Sequence, residues 1–195
     1  MRVFLCFRKR SAARRGISTL WLILALPVAV IGLAIGVEAG QLWLARAELQ
    51  NSLEAAALAA AKTWGDQIAG GGGSDTAASR GAAVNFALAN RVGGQAFNLP
   101  NNYTAPTPAN PNGNQNASTG LRFGRLVDGT PSTFDPNADP AFTAANERGV
   151  TITASFTVNG VTQNLFGSSP GSTTLQATAS AAYVPGGSAR LVSFP

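Results

Sequence analysis

The chain has 195 residues, of which 45% are hydrophobic and only 12% charged, with 22 Gly and 11 Pro. It contains no His, the commonest general base and metal ligand, and its one cysteine, Cys6, has no intrachain disulfide partner. The formal net charge of +5 is uneven. Six of the 14 basic residues precede residue 17, whereas the other eight and all nine acids follow from Glu38 onward. The basic excess therefore belongs to the amino-terminal tail and gives no basic stripe for nucleic acid.

Residues 1–16 form that tail, with Arg8, Lys9, Arg10, Arg14 and Arg15 clustered before an uncharged run from Ile17 to Val37. About 20 apolar residues at about 1.5 Å each cross a hydrocarbon core of about 30 Å, so 17–37 reads as a transmembrane helix. Pro27 lies inside the run, where a modest kink is tolerated once the freed carbonyl finds a partner. Trp21 and Trp43 fall near its two ends, as an interfacial belt would place them. The positive-inside rule puts the tail in the cytoplasm and residues 38–195 outside the cytoplasmic membrane. Gly32 and Gly36 have the spacing of a GxxxG helix-packing face, a spacing that small residues in such runs also reach by chance. Cleavage of a secretory signal is the rival expectation, since Val37-Glu38-Ala39 before Gly40 has small residues at permissible places. The apolar run, however, exceeds the usual 7–15 residues of a signal core, and the helical pattern continues through the cut.

Beyond the span, Leu42, Ala45, Leu49, Leu53, Ala56, Ala60 and Trp64 recur at steps of three and four, the mark of one helical face. Gln41, Glu48, Asn51, Ser52 and Lys62 are expected on the opposite side, and Gly65 as the terminator. The stripe is mostly alanine. It suits close packing either on the chain's own small domain or against sister helices in an assembly.

These stretches carry a resemblance. The basic tail, the span ending in GVEAGQLWLARAELQN and the following SLEAAALAAA are similar to the amino-terminal segment of TadE/TadG-like proteins of bacterial Flp (Tad) pilus assembly. Glu38, Gly40, Leu44, Ala45, Arg46, Leu49, Gln50 and Asn51, with Ala55 to Ala61, match the family pattern. The resemblance implies a single-pass structural membrane protein whose partners are other pilus-assembly or pseudopilin-like proteins, met through this helix. With no His, no cysteine beyond the span and no complete metal or catalytic motif, the residues themselves lead to the expectation of no cofactor, no metal and no small-molecule substrate. One departure is visible: a pilin-type cut after Gly16 would place Trp21, not Glu, at the fifth mature position. A permanent anchor therefore fits better than a cut and assembled pilin.

The remaining chain reads as a Gly-rich joint at 69–75 and a second helix over Asp75 to Arg91, capped by Ser74 or Asp75 and ended by Gly93-Gly94. Its apolar positions are Ala77, Val84, Ala87 and Leu88. A Pro/Asn-rich loop over 95–119 leans to disorder. A β-rich region follows over 120–195, where Gly120–Val127, Val150–Val158 and Thr173–Val184 alternate with period two. LRFGRLVDG, ANERGVTITASF and TTLQATASAAYV extend the resemblance there. The expected class is α+β: a long amino-terminal helix, half transmembrane and half amphipathic, a short second helix, and a small antiparallel sheet with one apolar face on a helix. Asp135, Asn137 and Asp139 do not complete a Ca²⁺ loop, and the external acids sit in no catalytic motif, so no enzyme activity is expected.

Overall fold

A computed structural model describes residues 15–71, 75–115, 120–126, 134–136, 147–160, 172–184 and 188–192. The basic residues Arg8, Lys9, Arg10 and Arg14 lie outside them, as do Val127, Asn137 and Asp139. The chain is α+β. Helix α1 (Arg15–Ala69) is followed by α2 (Ala77–Ala89), a two-stranded hairpin of β1 (Arg91–Val92) and β2 (Gln95–Ala96), and then β3 (Gly120–Leu126), β4 (Phe134–Asp135), β5 (Arg148–Val158), β6 (Thr173–Val184) and β7 (Ser188–Val192). The last five form one antiparallel sheet in the order β4-β3-β5-β6-β7.

Helix α1 runs unbroken through Pro27 for 55 residues, about 80 Å at about 1.5 Å per residue. Its second half forms the core of a small head. Ala45, Leu49, Leu53, Ala56, Ala60 and Trp64 are buried as the stripe predicts, but Ser52, Ala57 and Ala61 are buried too. At about 100° per residue these positions cover about half the circumference. The reason is that α1 is packed on by α2 as well as by β5 and β6. Ser52, expected on the polar side, lies only about 20° from Ala45 on the helical wheel and is enclosed with it.

Gly65 does not end the helix. α1 continues to Ala69, where the Gly70 and Gly71 amides bond back to Asp66 and Ile68, and Gly71 takes φ +74°. A Cβ at Gly65 would collide with the ring of Tyr183 on β6, so this glycine lets the ring lie against the helix backbone. The second helix, by contrast, is shorter than expected. The Asp75 carboxylate accepts the Ala77 N–H at 3.0 Å at its start, and Asn90, not Gly93-Gly94, caps its end. Ser79, Arg80, Ala83 and Ala87 are its buried face, while Leu88 is exposed. Gly93 and Gly94, both with positive φ, instead make the two-residue turn between β1 and β2.

In the large sheet the alternation holds along β5, whereas Leu126, Ser180 and Ala182 of the other face are buried as well. Val150, Ile152 and Ala154 on β5 and Ala179 and Ala181 on β6 face α1, paired as Val150↔Ala181 and Ile152↔Ala179. Leu121 and Phe123 of β3 extend this face, and Trp64 meets Phe123 edge-on with centroids 5.3 Å apart. On the other face hydroxyls pair across strands, Thr153 with Thr178 at 3.1 Å and Ser180 with Thr151 at 3.2 Å. Strands β1, β2, β4 and β7, of two to five residues, are additions to the expected set. Such lengths are too short to show a period.

Candidate functional site: an exposed apolar helix

From Leu20 to Val37 every large side chain of α1 stays exposed, and Leu42 is already half-buried. Its large apolar side chains point outward all round, from Leu20, Leu22, Ile23 and Leu24 to Leu33, Ile35 and Val37. A helix apolar on every side is stable only in an apolar medium. Among the described residues this is the one helix long and apolar enough to cross a membrane. Trp21 and Trp43, 65% and 77% exposed, bracket it. They are separated by about 33 Å along the axis, against about 30 Å of hydrocarbon. Gly32 and Gly36 share one open side of the helix, and Gly40 continues the four-residue spacing. Apart from the helix's own backbone and chain neighbours, no atom lies within 4 Å of where a Cβ would stand at any of the three.

The residues of the expected family motif separate into two groups. Ala45 and Leu49 enter the core. Gln50 is half-buried and donates to Glu54 Oε1 at 2.8 Å and to the Thr178 carbonyl of β6 at 3.3 Å. Glu38 is half-exposed, whereas Gly40, Leu44, Arg46 and Asn51 face outward, Leu44 with 55% of its surface free. The motif thus straddles the point where the helix leaves its exposed environment and enters the head. Just there the Glu48 carboxylate accepts the Gly93 N–H at 2.7 Å, tying the β1–β2 turn to α1. A cleft of ≈ 370 Å³ lies beside this bond, bounded by Gln41, Leu44 and Glu48 of α1, the Gly93–Gln95 turn and the end of β5 from Phe156 to Asn159.

One structural centre is absent from the sequence-level expectations. Arg80 of α2 is fully buried. Its Nε donates to Thr76 Oγ1 one helical turn back. Nη1 reaches the carbonyls of Asn101, Asn102 and Leu121, and Nη2 those of Asn112 and the Asn114 side chain, the last at 2.7 Å. The guanidinium also lies 4.7 Å from the Phe123 ring centroid and 5.8 Å from that of Tyr103. Burial lowers its pKa to about 10, while the nearby Tyr103 and Asp75 oppose the shift, so it remains a cation at neutral pH. The Pro/Asn-rich segment, which has turns and isolated bridges in place of helix or strand, is gathered on this one side chain. Asn114 adds bonds to both the amide and the carbonyl of Phe123. The sequence signals were a lone Arg in an alanine-rich helix with Thr at i−4, and the run of asparagines that follows.

No group of three or more acidic, His or Cys side chains suited to a metal occurs among the described residues. Residues 16–63 match the family model of putative Flp pilus-assembly TadE/G-like proteins. The long helix is similar to the amino-terminal segment of that family. The match begins one residue into α1 and ends one residue before Trp64, so it takes in both the exposed half and most of the core half. The match stops short of α2 and the sheet, so the likeness expected over residues 120–184 lies beyond it. No curated protein and no solved structure matches the chain.

Proposed function

We propose that the chain is a single-pass structural component of a Flp/Tad pilus-assembly system, anchored in the cytoplasmic membrane by residues 17–37, with its basic tail inside and residues 38–195 outside. Its role is mechanical and not catalytic: the Tad-type helix carries the head and meets other pilus-assembly or pseudopilin-like proteins along its apolar half. The observation that supports this most is the coincidence of the family match with one unbroken helix, exposed and apolar in its first half and the core of a head in its second. Arg8, Lys9, Arg10, Arg14 and Arg15 set the orientation. Gly32 and Gly36 offer the closest approach to a neighbouring helix.

The test is extraction and processing. The full chain should stay in membranes after alkaline carbonate washing, retain an intact amino terminus by mass spectrometry, and fall in abundance when neighbouring pilus-assembly genes are deleted. Release by washing together with unchanged abundance would sink the proposal. Secretion after signal cleavage is the second reading, and one observation favours it: the buried core begins at Ala45, so a cut after Ala39 would leave the head whole. A mature start at Gly40 would decide for it.

A further inference from the structure

The head carries a distinct lower edge. β5 runs down α1 from Arg148, whose guanidinium lies 5.9 Å from the Trp64 ring, to Phe156–Asn159, which share a cleft with Gln41 and Leu44. The β1–β2 turn ends at the same level, held by the Glu48–Gly93 hydrogen bond. Gln41 is four residues beyond Val37, so this edge reaches down to about 6 Å from the end of the apolar run. The headgroup layer on one side of a bilayer is about 5–7 Å thick. A tilt of α1 toward the side that carries the edge lowers it further. Trp43 gives an independent mark, since an interfacial tryptophan on the same helix places Gln41 within the interface.

The chemistry of this edge fits the place. Trp43 and Leu44 continue the apolar surface of the span, and Phe156 and Val158 add half-buried apolar area. Arg46 and Arg91 are exposed cations, with Glu38 half-exposed between them and the span and Glu48 engaged with the turn. Slim glycines form the tip. Such a mixture suits headgroups that carry both a phosphate and an ammonium.

We propose that the lower edge of the head, formed by the Gly93–Gly94 turn and the end of β5 beside Gln41 and Trp43, is seated in the phospholipid headgroup layer. The head then does not hang free on a stalk. The unbroken helix and the Glu48–Gly93 bond fix its height and its angle to the membrane, which sets how it presents the sheet to partners. This rests on the anchor reading, and the experiment separates the two.

The full chain, with Cys6→Ser, is reconstituted in phosphatidylethanolamine–phosphatidylcholine vesicles and spin-labelled singly at Ile31→Cys, Gln95→Cys or Ala78→Cys. Collision with an aqueous nickel chelate and with oxygen reports depth. The expected result is a deep label at Ile31, a fully aqueous one at Ala78 at the far end of the head, and at Gln95 a clear loss of nickel accessibility relative to Ala78. Equal accessibility at Gln95 and Ala78, with Ile31 deep, overturns the seating and leaves the anchor standing. An aqueous Ile31 overturns both. Shielding of Gln95 that comes with spin–spin broadening between labels, and that disappears when the protein is diluted in lipid, assigns the edge to a second copy and overturns the proposal as well.

Discussion

Residues 18–44 and 45–69 of α1 are drawn from much the same alphabet of Ala, Leu, Ile and Gly and form one continuous helix, yet they solve opposite problems. The first half turns its leucines outward on every side. The second encloses about half its circumference between α2 and the sheet. Backbone geometry is the same in both, so the difference lies in what surrounds it. In the upper half the alanines matter because small side chains let two neighbours approach, and the leucines and Trp64 supply most of the buried area. In the lower half large side chains need no protein neighbour if lipid is the solvent. A lesion in one half should therefore be silent in the assay that reads the other, and unfolding of the full chain in detergent micelles measures the head alone.

The largest effect is expected at Arg80, which decides whether the upper half keeps its surroundings. Arg80→Met removes a buried cation that satisfies five carbonyl or amide oxygens and leaves them facing an apolar stem. A loss of about 3–5 kcal/mol in urea-unfolding stability is expected. Arg80→Lys should recover little, because an ammonium lacks the planar fork that spans these acceptors. Next comes Leu53→Ala, fully buried on α1, at about 2–5 kcal/mol. Gly65→Ala should cost about 1–3 kcal/mol by forcing the Tyr183 ring away from the helix. If Gly65→Ala were neutral, the ring would have another place to go and the close contact would not matter to stability.

Much of this arrangement was legible beforehand. An apolar run of the right length, a three-four stripe ending at Trp64 and two long alternating strands identify the helix, its core face and the central sheet, because burial writes its period directly into residue choice. The Tad likeness was legible as well, since the run GVEAGQLWLARAELQN on which it was expected lies inside residues 16–63. What escaped depended on partners far away in the sequence. Ser52 is buried because a second element closes over its side of α1, which a one-face stripe does not encode. Gly65 looked like a stop, but a single glycine among strong helix formers costs only about 1 kcal/mol, and Tyr183 lies 118 positions further on. Arg80 has no mark in the local pattern of an alanine-rich helix. Only the folded Asn-rich segment supplies the carbonyls that make burying it tolerable.

The smallest expected effect tests the comparison itself. Leu24→Ala, in the exposed half, removes as many atoms as Leu53→Ala but takes away no contact with the head. The urea midpoint of the head should move by no more than about 0.5 kcal/mol equivalent. The loss should appear instead in the membrane: exchanging one Leu for Ala weakens insertion by fractions of a kcal/mol on the biological scale, on the order of half a kcal/mol. A glycosylation-reporter insertion assay reads that shift. If Leu24→Ala destabilised the head as much as Leu53→Ala, the span would be packing against the head's own residues, and the two halves of α1 would belong to one core.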